Sequence, residues 1–170
     1  MIKMIKRIKP KKTIKSSGKK RVGLTRSHKI KSSYLKVLFD TKYSLRIKEL
    51  VKVARKIKRK HPFDAIAFTG MSGAGVAFPL SFLLKVPLIL IRKKGYSHSS
   101  DEIEGTYNSK RYLIVDDFID SGETINKIIR TYHYYSPAAK PVAMLLYAED
   151  EPRKRWGKIP VFIPVFHLKK

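Results

Sequence analysis

Two adjacent acids follow an apolar run in the second half of the chain. Residues 112–115 are apolar, Asp116 and Asp117 come next, and residues 120–124 read Asp-Ser-Gly-Glu-Thr. The apolar run predicts a buried strand that presents the two carboxylates at its C-terminal end. A short loop that leads into a helix offers backbone N–H groups to a phosphate. Two carboxylates that accept hydrogen bonds from vicinal hydroxyls, beside such a loop, suit a ribose 5-phosphate.

Strand-like and helical segments alternate on both sides of this motif. The strands are predicted at 65–68, 87–91, 112–115 and 142–147, with a last, partly β segment at 159–166. The helices are predicted at 44–60, 76–84 and 123–135. Pro79 within the second helix predicts a kink or a late start. The alternation is typical of an α/β fold with a mainly parallel, twisted sheet flanked by helices.

Three loops follow the predicted strands and should meet at one edge of the sheet. They comprise residues 69–75, 92–110 and 116–124. The first loop lacks the Lys-Ser or Lys-Thr of a P-loop, and Phe78 breaks the dinucleotide-binding glycine pattern. Because ligands of α/β sheets bind at the C-terminal ends of the strands, the three loops predict the position of a site.

The run from Tyr112 to Thr124 resembles the signature of the type I phosphoribosyltransferases, which bind phosphoribosyl pyrophosphate (PRPP). The resemblance spans roughly residues 35–150 and implies the type I phosphoribosyltransferase fold, with a mobile hood loop in the 92–110 segment. It also implies a transferase that moves ribose 5-phosphate from PRPP to a nucleobase in nucleotide salvage, releasing pyrophosphate. Mg²⁺ is the implied cofactor, and members of the family often form homodimers.

The resemblance implies roles for residues of all three loops. Asp116 and Asp117 would hold the ribose hydroxyls, directly or through the Mg²⁺ that accompanies pyrophosphate. The 5-phosphate would bind to the third loop, at Asp120, Ser121, Gly122, Glu123 and Thr124. The pyrophosphate would bind to the first two loops, at Gly70, Met71, Ser72, Gly73, Arg92 and Lys93.

Asp120 and several apolar residues bear on the choice of nucleobase. Among the transferases that this chain resembles, those for 6-oxopurines commonly carry an Asp at the position of Asp120, whereas those for adenine and orotate usually carry Ala or Thr. Asp120 is therefore a candidate general base or electrostatic partner of a ribosyl cation. The alternative is an N-cap of the following helix. The candidates for contact with the base, with core packing as the alternative, are Phe118, Ile119, Trp156 and Phe162.

The chain is strongly basic, with a formal net charge of +25 over 170 residues. Residues 1–31 contain 13 Lys and Arg residues and no acid, which predicts a disordered or partner-ordered tail that binds nucleic acid. The alternative is a Lys-rich coding bias, although such a bias should also raise the Asn content. The core is then expected at 32–150, and 151–170 would be an extension that contributes to the base pocket or the hood.

Composition excludes several other classes of protein. The chain has no Cys, which excludes disulfide and thiolate chemistry. It has neither an apolar run of membrane-spanning length nor a signal-peptide core, so a cytoplasmic protein without a membrane partner is expected. The main rival to a transferase is a regulatory, non-catalytic nucleic-acid-binding protein on the same fold. A structural nucleoprotein is the third alternative.

Overall fold

The computed structural model describes residues 38, 40–93, 101–149 and 153–164. Predictions about the basic tail (1–31), the middle of the hood segment (94–100) and the last residues (165–170) lie outside the described residues. No helix in the described part is long and apolar enough to cross a membrane.

The described chain contains helices and strands in the order α-β-α-β-β-β-α-β-β-β from Tyr43 onwards. The helices are α1 (Tyr43–Lys60), α2 (Gly70–Leu84) and α3 (Glu123–Tyr135). The strands are β1 (Ala65–Phe68), β2 (Leu88–Ile91), β3 (Ile103–Gly105), β4 (Arg111–Asp116), β5 (Lys140–Leu146), β6 (Arg155–Trp156) and β7 (Ile159–Phe162).

The strands form one sheet in the order β3-β2-β1-β4-β5-β7-β6. The five inner strands run parallel, and the edge strands β3 and β6 pair antiparallel with β2 and β7. The predicted α/β fold with a mainly parallel sheet is therefore confirmed. The 92–110 segment was predicted as loop throughout, but residues 103–105 form β3, where the buried side chain of Ile103 faces the core.

Apolar side chains cover both faces of the sheet. In β4, Leu113 and Val115 point to the core beneath α1 and α2, while Tyr112 and Ile114 point to the core beneath α3. This alternation is the period of two expected of a strand. Because both faces are buried, β4 appears in the sequence as a continuous apolar run that ends at the cleft described below.

Helix α2 begins at Gly70, six residues before the start predicted from sequence, and it contains Pro79. Pro79 has no N–H, so it cannot donate the helical hydrogen bond to the carbonyl of Gly75. The hydroxyl of Tyr43 on α1 donates to that carbonyl at 2.8 Å instead. The predicted late start is therefore wrong, because a neighbouring helix supplies the donor that proline lacks.

Candidate functional site

A cleft of about 200 Å³ opens at the C-terminal edge of β1 and β4. Its walls are Thr69, Ser72, Lys93 and residues 116–125. The structure therefore brings together residues from all three of the predicted loops. What was predicted as the first loop is mainly the start of α2, so Ser72 reaches the cleft from a helix.

The two acids of the motif lie at the end of β4. Asp116 is buried, and its Oδ1 accepts hydrogen bonds from Ser72 Oγ at 3.3 Å and from the N–H of Asp117 at 3.0 Å. Asp117 is half-buried, and its Oδ1 accepts from the N–H of Phe118 at 3.0 Å. Burial, followed by the negative charge of Asp117, raises the pKa of Asp116 to about 7. Asp116 is therefore reluctant to ionise.

Tyr147 holds the backbone next to the two acids through two hydrogen bonds. Its hydroxyl donates to the carbonyl of Ser72 at 3.0 Å, and its N–H donates to the carbonyl of Asp116 at 3.2 Å. Burial raises the pKa of Tyr147, so the phenol stays protonated and remains a donor. Sequence reasoning missed this residue, since a Tyr after an apolar strand gives no sign of a partner 75 residues away.

We expect Asp116 to make the folded protein less stable as the pH rises. Its pKa is about 7 when folded and near 3.8 when unfolded, so between these values only the folded chain holds the proton. From pH 4 to pH 7 the stability of the wild type should therefore fall relative to Asp116→Asn, by roughly 2–4 kcal/mol, and then level off. Urea unfolding of both proteins across this range measures the difference. Parallel pH profiles would show that Asp116 ionises normally.

The phosphate-binding candidates lie in the turn before α3. Gly122 is buried, has φ +78° and is the N-cap of α3. The hydroxyl oxygen of Ser121 accepts from the N–H of Glu123 at 3.3 Å. Asp120 is exposed and lines the cleft. Because Gly122 occupies the N-cap, the alternative of Asp120 as the cap is wrong.

The C-terminal hairpin closes over this turn. A Cβ placed on Gly122 would lie 2.2 Å from Cη2 of Trp156, so the indole rests directly on the glycine. The guanidinium of Arg153 lies over the indole ring, 5.5 Å from its centroid. Glu149 also supports the loop, because its Oε2 accepts from the N–H of Ile119 at 3.1 Å. Sequence reasoning did not identify Glu149, and it assigned Trp156 to the base rather than to the turn.

The remaining candidates fall in different places. Phe118 and Ile119 both line the cleft, but Phe118 is half-buried, whereas Ile119 is buried and also packs in the core beneath α3. Phe162 packs on the opposite face of the sheet, with its ring centroid 5.7 Å from that of His61. The structure thus does not bring Phe162 to the cleft.

Some of the residues predicted to bind pyrophosphate line the cleft, and others lie elsewhere. Lys93 lines the cleft, but Arg92 forms an ion pair with Glu104 on β3. Met71 is exposed and, with Gly70, lines a separate apolar pocket beside the cleft. Gly73 serves packing, because a Cβ there would lie 2.9 Å from Cβ of Phe68 and 3.2 Å from the carbonyl of Val115. Of this group, only Ser72 and Lys93 line the cleft.

The sequence profile of the phosphoribosyl transferase domain matches residues 47–165, which is more than half of the chain. The chain belongs to the phosphoribosyltransferase family. The family prediction drawn from residues 112–124 is thereby confirmed, and family and fold together support a transferase enzyme. No curated protein sequence matched the chain.

Several solved structures share the fold. The chain is similar to UMP synthase from Leishmania donovani, with 25% identity and a TM-score of 0.58 over 75% of this chain and 28% of that one. It is similar to adenine phosphoribosyltransferase from Thermoanaerobacter pseudethanolicus, with 20% identity and a TM-score of 0.55 over 72% of this chain and 80% of that one. It is also similar to orotate phosphoribosyltransferase from Aeropyrum pernix, with 18% identity and a TM-score of 0.54 over 71% of this chain and 69% of that one. The type I phosphoribosyltransferase fold is confirmed.

Proposed function

We propose that this protein transfers ribose 5-phosphate from PRPP to a nucleobase and releases pyrophosphate. The observation that carries the proposal is the cleft itself, in which an acid pair and a glycine turn at a helix N-terminus share a space of about 200 Å³. The acid pair suits the ribose hydroxyls, and the N–H groups of the turn suit the 5-phosphate. Membership of the family makes this pairing of groups the expected one.

Different residues of the cleft would bind different parts of PRPP. Ser121, Gly122 and Thr124 would surround the 5-phosphate at the start of α3, where the helix dipole favours an anion. Lys93 on the same cleft would neutralise pyrophosphate. With both ends of PRPP held, the reaction would be promoted mainly by positioning and by carboxylates near the developing ribosyl cation.

Asp116 and Asp117 would also hold Mg²⁺, together with oxygens of the substrate. The described residues contain no cluster of three or more Asp, Glu, His or Cys side chains able to hold a metal ion alone. Two carboxylates fit Mg²⁺, because this ion commonly takes one or two carboxylates together with water and phosphate oxygens. When bound, the ion would neutralise charge on the departing pyrophosphate.

A 6-oxopurine is the proposed nucleobase. Asp120 is exposed at the cleft and is not the helix cap, so its carboxylate can exchange a proton with a purine nitrogen. We expect hypoxanthine or guanine to be turned over faster than adenine or orotate, measured in parallel by pyrophosphate release. Equal or faster turnover of adenine or orotate would show that the base assignment is wrong.

The same assay tests the role of Asp120. We expect Asp120→Asn to lower kcat for the preferred base by roughly 10²-fold or more, the usual contribution of a general base. PRPP affinity should change little, because the acid pair remains intact. Asp101→Asn makes the same exchange at an exposed acid that is not among the walls of the cleft, and it is the matched control. An unchanged kcat in Asp120→Asn would remove Asp120 from the chemistry.

A further inference from the structure

Helix α1 carries a row of exposed basic side chains along one face. They are Lys48, Lys52, Arg55, Lys56 and Arg59. At 100° per residue these positions fall within an arc of about 100° on the helix surface. The buried residues of α1 include Leu50, Ala54 and Ile57, which face the core on the opposite side. The basic row is therefore a solvent-facing stripe about 16 Å long.

The charge of this stripe is not a uniform feature of the fold. Helix α2 has no charged residue, and α3 has Lys127 and Arg130 but also Glu123. The ammonium group of Lys127 donates to the carbonyl of Arg92 at 2.6 Å, so this charge is directed toward the protein and not toward solvent. On α1 the single acid is Glu49, which pairs with Lys52 at 2.7 Å. Among these three helices, positive charge is thus concentrated on α1.

The stripe is also separate from the proposed PRPP site. No residue of α1 is among the walls of the cleft. Residues 49–59 of α1 instead border a shallow, open groove of about 650 Å³ that is lined mainly by Lys and Arg. A small anionic substrate held in the cleft would not contact these side chains, so binding of PRPP does not account for them.

We propose that this face of α1 binds the phosphate backbone of nucleic acid. A duplex carries about one negative charge per 1.7 Å of its axis, so a basic stripe 16 Å long can meet several phosphates. A lipid surface fits less well, because the apolar face of α1 is buried in the core and leaves nothing to insert. Lys and Arg contacts to phosphates carry no base information, so little sequence preference is expected. The proposal does not depend on the transferase activity.

Binding of the full chain to random-sequence duplex DNA and duplex RNA, over a range of salt concentrations, tests this surface. The variant Lys52→Gln with Arg55→Gln and Lys56→Gln should bind roughly tenfold or more weakly at low salt. The slope of log K against log salt should become shallower by about 2–3, since each phosphate contact contributes about 0.9. Conversely, Glu49→Gln should strengthen binding, because it removes the one acid of the helix.

A charge-matched control separates the stripe from general attraction to a basic protein. Arg130→Gln with Lys140→Gln and Lys154→Gln removes three exposed cations outside α1 and should leave the slope nearly unchanged. A third variant, Lys19→Gln with Lys20→Gln and Arg21→Gln, removes three cations from the tail. If the α1 variant binds like the control while only the tail variant weakens, the proposal is wrong. It is equally wrong if anionic vesicles bind through α1 more tightly than either nucleic acid. DNA and RNA bound alike would support recognition of the backbone.

Discussion

Replacing both Asp116 and Asp117 by Asn should abolish PRPP binding while the chain stays folded. The exchange removes from the cleft both carboxyl groups that would hold the ribose hydroxyls and Mg²⁺, which should cost roughly 3–6 kcal/mol of binding free energy. Folding should survive, because burial already disfavours the ionised form of Asp116 and Asn is neutral. Titration calorimetry with PRPP and Mg²⁺ measures the binding, and thermal unfolding measures the stability.

A matched control for this experiment is the pair Asp101→Asn with Glu102→Gln. These two acids are likewise adjacent, but unlike Asp116 and Asp117 they are exposed, and neither is among the walls of the cleft. Removing them changes the net charge by the same amount, so any general effect of charge on PRPP affinity appears in both variants. Wild-type affinity in the Asp116 and Asp117 variant, with the protein folded, would contradict the ribose assignment.

Gly122→Ala should be the most damaging single exchange in the turn before α3. The new methyl group would meet the indole of Trp156 at 2.2 Å, and alanine at φ +78° is strained as well. We expect a loss of roughly 2–4 kcal/mol of stability, from about 1 kcal/mol of backbone strain and 1–3 kcal/mol of overpacking. PRPP affinity should also fall, because the turn must move to accommodate the methyl group. Urea unfolding and calorimetry measure the two effects.

Gly157→Ala measures the cost of backbone strain alone, so its comparison with Gly122→Ala gives the cost of the collision with Trp156. Gly157 has φ +56°, but a Cβ there would meet no atom within 4 Å. Its exchange should therefore cost only about 1 kcal/mol and leave PRPP binding intact. If the two alanine variants lose the same stability and both bind PRPP normally, the contact between Trp156 and Gly122 has no importance for the site.

The acid pair and its turn could be predicted because their signals are local. The apolar run 112–115 indicates a buried strand, and a parallel sheet brings its C-terminal end to the ligand edge. Asp116 and Asp117 must then lie at that edge, whatever the rest of the chain does. The same reasoning placed Ser72 and Lys93 close to them, since both follow neighbouring strands.

The contacts that hold the site could not be predicted in this way. Tyr147 and Ser72 are far apart in sequence, and neither has a pattern that names the other. The early start of α2 depends on Tyr43, which satisfies the carbonyl that Pro79 leaves without its usual donor. Strand β3 has only three residues and exists through its pairing with β2. Such features depend on tertiary contacts that override local propensity.

Calorimetric titration of the wild type with PRPP, in the presence and absence of Mg²⁺, tests the central claim most directly. The assignment of the cleft predicts saturable binding at one site per chain, stronger with Mg²⁺ and displaced by a nucleoside 5′-monophosphate. Tripolyphosphate is the necessary comparison, because a chain of net charge +25 attracts any polyanion. PRPP bound in preference to tripolyphosphate would support a ribose 5-phosphate site at Asp116 and Asp117. Equal affinity for both, or no binding of PRPP to the folded protein, would contradict it.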